Sequence, residues 1–254
     1  MLDDWFEWNG VKCTDYGMTV LAFPSIVKAS ERVSYTESPG LSGSLTQKEG
    51  EHVYDDVVLA CTCIIDDPYE LVEGTTVSRI QKICGWLLGD GTLKFADRPE
   101  GFYLGRVTNQ ISFDTIVRAN PHRSFQVQFR CRPFFRLTSG LTTRSTTGAS
   151  LALTNLGNIP AKPLLRLAGT GEGTVMCGDS TMLINNLSGI SYLMLDCEAE
   201  YAYKGALGNP VDPLVSLNSR VDRTDWLEIP TGASFLTISG GISSAILTPR
   251  WWTV

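Results

Sequence analysis

Histidine is almost missing from this sequence: His52 and His122 are the only two in 254 residues. Neither lies in an HExxH pattern, and there is no GxSxG elbow, Walker A loop or cysteine–histidine signature. No residue is therefore assigned a catalytic role, and no metal or cofactor is expected. Long apolar runs are absent too, since none reaches the 18 residues of a membrane-spanning helix. The acidic start MLDDWFEWNG lacks the positive flank and apolar stretch of a secretory signal, so the expectation is a soluble protein made in the cytosol. Positive charge is scarce: 21 basic residues face 27 acidic ones, a formal charge of -6, with no basic run longer than a pair. That argues against a sequence-nonspecific grip on phosphates. Seven cysteines, an odd number without a secretion signal, fit free and mostly buried thiols better than a disulfide framework.

What is present is a turn-rich globular composition: 43% apolar residues, 24 glycines and 12 prolines in 27.8 kDa, enough for one large or two ordinary domains. The strongest helical signal runs from Thr76 to Leu88. Val77, Ile80, Ile83, Cys84, Leu87 and Leu88 recur at three- and four-residue steps, which predicts one buried face. Gly89 and Gly91 supply the stop and turn. Around it the rhythm is extended. Val57, Leu59, Cys61 and Cys63 alternate with Val58, Ala60 and Ile64, predicting a strand covered on both faces. In Ser124 to Phe135, Phe125, Val127, Phe129 and Cys131 alternate with Gln126, Gln128, Arg130 and Arg132. One helix in strand-like sequence predicts a β-rich domain with that helix on its flank.

Thr36 to Gly50 holds three glycines and a proline and almost no large apolar residue, so it reads as an exposed loop or the tip of a long hairpin. Ser139 to Ser150 is hydroxyl-rich and reads as a linker. Beyond it, short extended runs between Gly, Asn, Pro and Asp turns suit a β-sandwich. Three features carry chemical alternatives. Cys61-Thr62-Cys63 has the spacing of a soft-metal pair but on a strand simply places two small apolar groups on one face, and GTGEG at 169–173 reads as a turn or bulge. Asp55/Asp56, Asp66/Asp67 and Asp196/Glu198 offer paired carboxylates, read as solvated strand ends rather than glycoside-hydrolase acids. Tyr201, Tyr203, Trp251 and Trp252 could stack on sugar rings, or anchor a core or interface.

One series of residues runs through Glu31-Arg32, Gly40, Gly43-Ser44-Leu45, Tyr54-Asp55-Asp56 and Trp86-Leu87-Leu88-Gly89, continues through Phe102-Tyr103, Arg106-Val107 and Pro133-Phe134, and resumes at Asn155, Pro160-Ala161-Lys162-Pro163, Leu195-Asp196-Cys197-Glu198 and Pro249-Arg250-Trp251-Trp252. In the order and spacing of these residues the chain resembles the distal tail proteins of long-tailed phages, the siphophage tail-tip hub family, along nearly its whole length. Asn209 to Trp226 departs from it. The resemblance implies a mainly β protein. Residues 1–138 would form a tail-tube-like β-sandwich or split barrel with one flanking helix, carrying Val77, Ile80, Cys84 and Leu87. Residues 139–150 would link it to a galectin-like β-sandwich at 151–254. It further implies a homo-hexameric ring at the virion tail tip, joining the tail tube protein to a hub or fibre protein, with DNA passing through the lumen unheld and no membrane insertion. An arm at Pro39, Gly40, Leu41, Gly43 and Leu45 would reach a neighbouring subunit. A receptor-binding protein is a further implied partner; a carbohydrate-binding module contacting host glycans is the alternative function. The acidic balance adds the expectation of a channel wall that repels phosphate.

Overall fold

The computed structural model describes residues 4–40, 42–65, 75–113, 124–222 and 226–254, with backbone only for 75–78. It is mainly β, and Thr75–Trp86 is the only α-helix among the described residues. Residues up to Phe135, together with Val254, form one unit, and Arg136–Thr253 form the other.

The first unit contains β1 (Phe6–Trp8), β2 (Val11–Lys12), β3 (Met18–Ala22), β4 (Val33–Glu37), β5 (Ser44–Lys48), β6 (Val57–Ile65), α1 (Thr75–Trp86), β7 (Asp90–Phe95), β8 (Arg98–Val107) and β9 (Phe125–Cys131). Seven of these strands make an antiparallel sheet in the order β2-β1-β7-β8-β9-β6-β3. β9 alternates as its sequence predicts: Val127, Phe129 and Cys131 are buried, while Arg130 faces water. β6 differs from expectation. Its Val57, Leu59, Cys61, Cys63 and Ile65 are buried, but Val58 on the other face is 56% exposed, so only one face of the strand is covered within the unit. The Cys61 and Cys63 thiols belong to the core, and the hydrogen bond between the two, with burial adding to it, raises Cys63 well above the ordinary thiol range.

Helix α1 covers this core through a different set of residues from the one the periodicity suggests. Ile83 and Leu87 are buried and Ile80 is half-buried, whereas Cys84 is exposed and Leu88, beyond the helix, is 73% exposed. The reason is Trp86. Its ring stacks on Phe6 at 5.5 Å and on Tyr16 at 4.7 Å, and its indole N–H donates to the Trp8 carbonyl at 3.1 Å. Inserting the largest side chain of the helix rotates Cys84 outward.

The second unit begins within β10 (Phe135–Leu137) and contains β11 (Arg144–Thr146), β12 (Ser150–Asn155), β13 (Leu164–Cys177), β14 (Ser180–Ile184), β15 (Leu193–Asp196), β16 (Tyr201–Lys204), β17 (Val215–Ser216), β18 (Gly232–Thr248) and β19 (Trp252–Thr253). Its eight-stranded sheet has the path β11-β18-β13-β15-β16-β17, with β12 on β18 and β14 on β13. GTGEG is a bulge inside β13, where the register against β18 shifts between Ala168 and Gly173. A Cβ on Gly169 would sit 2.1 Å from the Gly241 carbonyl oxygen, so two strands meet there at a distance only glycine allows. Before the bulge β13 pairs with β15 and after it with β14, which curls one continuous sheet round a shared core of Leu165, Leu167, Val175, Leu195, Leu236 and Leu247. The stretch expected as a linker, 139–150, differs: Arg144–Thr146 is a strand, paired to Leu247, Ile246 and Ala245 of β18. Hydroxyl side chains do not prevent a ladder made by backbone groups.

Both ends of the second unit are tied by one ion network. Arg250 holds Asp196 at 2.7 and 3.0 Å and approaches Glu198 at 3.6 Å, and Arg136 donates to the same Glu198. Burial works to raise the Asp196 carboxyl, but the hydrogen bonds from Arg250 and from the Ala199 and Glu198 amides outweigh it and hold it below the usual carboxylate range.

Two outcomes follow for stability. Ile83→Ala is expected to cost about 2–5 kcal/mol and Cys84→Ser less than about 0.5 kcal/mol, read from urea unfolding followed by tryptophan fluorescence. Asp196 has a depressed pKa in the folded chain, so its contribution is complete above the unfolded carboxylate value and is lost as pH falls through the folded one. The difference in thermal midpoint between the natural chain and Asp196→Asn is therefore expected at neutral pH and should vanish in acid.

Candidate assembly surface

Strands β4 and β5 form a ribbon of their own, outside both large sheets. The register pairs Val33 with Lys48, Tyr35 with Thr46 and Glu37 with Ser44. The turn between them uses Gly40 and Gly43 at φ of 86° and 92°, a backbone that residues with a side chain rarely adopt. Of the two readings of Thr36 to Gly50, an exposed loop or the tip of a long hairpin, the structure shows the hairpin, with Ser44–Lys48 as its second strand.

Every described side chain in the ribbon from Ser34 to Thr36 and from Ser44 to Lys48 is exposed, including Tyr35 at 67% and Leu45 at 54%. Because β strands alternate, Tyr35 and Leu45 lie on opposite faces, one large apolar group on each. An isolated two-stranded ribbon with neither face packed is marginal in water, and its outer edges leave backbone donors and acceptors unpaired. Such a ribbon is suited to pairing with, or packing on, another chain.

The base of the ribbon, by contrast, is fixed. The Arg32 amide donates to the Val53 carbonyl at 2.9 Å, the Asp55 amide to Ser30 at 2.9 Å and the Glu49 amide to Arg32 at 3.2 Å. Arg32 pairs with Asp55 at 3.1 Å and Lys48 with Glu31 at 3.1 Å. A hydrogen bond from Lys48 lowers the Glu31 carboxyl, though both groups are open to water and the pair adds little stability. Tyr54 is braced edge-on by Phe134 at 5.9 Å. A hollow of about 260 Å³ beside the base is lined by Glu31, Arg32, Lys48, His52 and Tyr54 among others. The ribbon projects from a rigid root.

Of the arm residues expected from the sequence, Pro39, Gly40, Gly43 and Leu45 fall together at the exposed end of this ribbon, and Leu41 lies outside the described residues. Val77 lies on α1, whose side chain there is not described; Ile80 and Leu87 pack inward, and Cys84 does not. His122 and Asp66/Asp67 also lie outside the described residues. The remaining acidic candidates are taken by arginines: Asp55 by Arg32, Asp56 by Arg130, Asp196 by Arg250 and Glu198 by Arg136. Trp251 and Trp252 are buried and cannot meet a sugar; Tyr201 and Tyr203 stack at 5.6 Å and remain half-exposed.

No family model matches this sequence, and no curated protein sequence matches it. Its fold is that of the crystal structure of the Dit protein of phage SPP1, described as a paradigm of the hub adsorption apparatus in phages that infect Gram-positive bacteria. The TM-score is 0.70 at 17% identity, over 98% of this chain and 99% of that one. A chain of the phage P2 baseplate in its Ca-activated conformation aligns with a TM-score of 0.47 at 9% identity, over 97% of both chains.

Since neither Tyr35 nor Leu45 is packed within the chain, Tyr35→Ala and Leu45→Asp should each change the unfolding free energy of the monomeric chain by no more than about 0.5 kcal/mol, as measured by urea titration at low protein concentration.

Proposed function

We propose that this chain is a structural subunit of a phage tail tip. Six copies would close into a ring around the DNA channel, between the tail tube protein on one side and a baseplate, hub or fibre protein on the other. The observation that carries this reading is a fold shared end to end with the SPP1 hub protein, 98% of one chain on 99% of the other. The exposed ribbon on its fixed root adds a physical reason for self-association: packing on a neighbour removes its open edges and covers Tyr35 and Leu45. A head-to-tail contact of this kind generates a ring when the rotation closes. The proposed place is the virion tail tip, reached after synthesis in the host cytoplasm.

The reading includes no catalytic step, and the arginine-bound state of Asp55, Asp56, Asp196 and Glu198 agrees with that. A second reading, glycan binding by the second unit, rests only on the stacked Tyr201–Tyr203 pair, because both tryptophans are buried.

Light scattering of the purified chain, with negative-stain images of any large species, tests the ring. Rings with a central hole are the expected result. Deleting residues 41–48 should leave a folded monomer, and rings of normal size from that variant would overturn the role of the arm. A natural chain that stays monomeric alone and in the presence of its tail-tube neighbour would overturn the ring itself.

A further inference from the structure

The stretch that joins β3 to the ribbon carries apolar groups that the chain leaves uncovered. Among the described residues of the first unit, six large apolar side chains are more than half exposed. Two of them, Tyr35 and Leu45, stand on the ribbon, and two more, Leu21 and Ile26, stand on residues 21–28; Val58 and Leu88 complete the set. Ile26 is 84% exposed, and Val27 beside it is 48% exposed. The stretch is nevertheless held in place. Phe23 meets Phe95 edge-on at 6.2 Å, Pro24 is buried with its carbonyl accepting from Arg98 at 2.7 Å, and Ala29 is buried at the far end. Ile26, Val27 and Lys28 are therefore presented to water by a strap fixed on both sides. An apolar strip of this kind marks a place where something else packs.

We infer that the strap is the seat for the ribbon of a second copy of this chain, with Tyr35 packed on Ile26 and Val27 and Glu37 beside Lys28. The inference rests on the ring reading and adds to it the surface that receives the arm. Three observations select that occupant. The first is charge: Lys28 is the only charged residue from Met18 to Ser30, and Glu37 is the only one from Val33 to Gln47. Two otherwise uncharged surfaces thus carry one charge each, of opposite sign. Copies of net charge -6 meet at least cost where neither brings a surplus of acid. The second is the face of the ribbon. Alternation along β4 puts Glu37 on the side of Tyr35, while Leu45 lies on the other, so one face offers the aromatic ring and the carboxylate together. The third is that seat and ribbon are different surfaces of one unit, which a head-to-tail contact between copies requires. The ribbon does not cover the strap of its own chain, since Tyr35 and Ile26 are both exposed there.

The test is crosslinking between copies. Full-length Tyr35→Cys is mixed with full-length Ile26→Cys, both carrying Cys84→Ser to remove the exposed natural thiol, and the mixture is oxidised at the highest concentration used for light scattering. A disulfide-linked dimer on a non-reducing gel is the expected product. Leu45→Cys mixed with Ile26→Cys should lose it, because that thiol leaves the ribbon on the opposite face. In otherwise natural chains, Glu37→Lys and Lys28→Glu should each raise the concentration of half-assembly about fivefold, with circular dichroism unchanged. The two reversals in one chain should restore the natural value, which separates a paired contact from two independent losses. Rings that form without the Tyr35–Ile26 crosslink and without restoration by the double reversal overturn this inference and leave the ring standing. Equal crosslinking through Leu45 also overturns it, by assigning the other face of the ribbon. Linked dimers and restoration without rings support the contact and remove the six-copy ring, and the absence of both dimers and rings removes the two together.

Discussion

The first unit depends on the alternation of β9. That strand lies between β8 and β6 and offers each face of the sheet every second residue. Val127, Phe129 and Cys131 go inward, where Phe129 meets Phe6 at 5.4 Å and Trp8 at 5.4 Å. Arg130 is thereby sent outward, because a period of two admits no other choice once the aromatic side is buried. Shifting the register by one residue would place charges against Trp8. Packing energy thus fixes the charged face without any interaction on that face being strong.

The same reasoning explains what the sequence disclosed. β9 was legible because alternation is local information, and so was the β13 bulge, since three glycines in five residues announce a backbone that must bend or approach closely. The face of α1 was not. Periodicity counts Cys84 and Leu88 as apolar, but it has no term for the Trp86 ring fitting between Phe6 and Tyr16. Nor could composition separate a linker from β11, whose ladder with β18 spans about a hundred residues of chain and owes nothing to its side chains. The placing of Arg106 beside Arg130 escaped for a related reason: no run of basic residues exists, and only sheet register brings the two together.

A shared fold at 17% identity is intelligible in these terms. The residues that hold each unit together are few in kind: alternating apolar positions, glycines at close approaches, and buried arginines such as Arg98, which grips the Pro24 carbonyl at 2.7 Å and Asp97 at 2.9 Å. Many sequences satisfy such a pattern. The exposed ribbon and the outer sheet face are under no such constraint from packing, so their composition has to be accounted for by what they meet.

The ion network of the second unit has a consequence for how the chain is built. Arg136 is the first residue of that unit and Arg250 stands three residues before its last, Thr253, and the two converge on Glu198. Leu137 and Trp251 are joined by a backbone hydrogen bond of 2.9 Å, as are Arg250 and Gly140 at 2.8 Å. The unit therefore begins and ends at one spot, like a bead threaded through a single hole. A block with adjoining ends can be enlarged, trimmed or exchanged for another without changing the path of the strands before Phe135. The second unit is in that sense a replaceable fitting, and its loops can diverge while the part carrying the ribbon stays as it is.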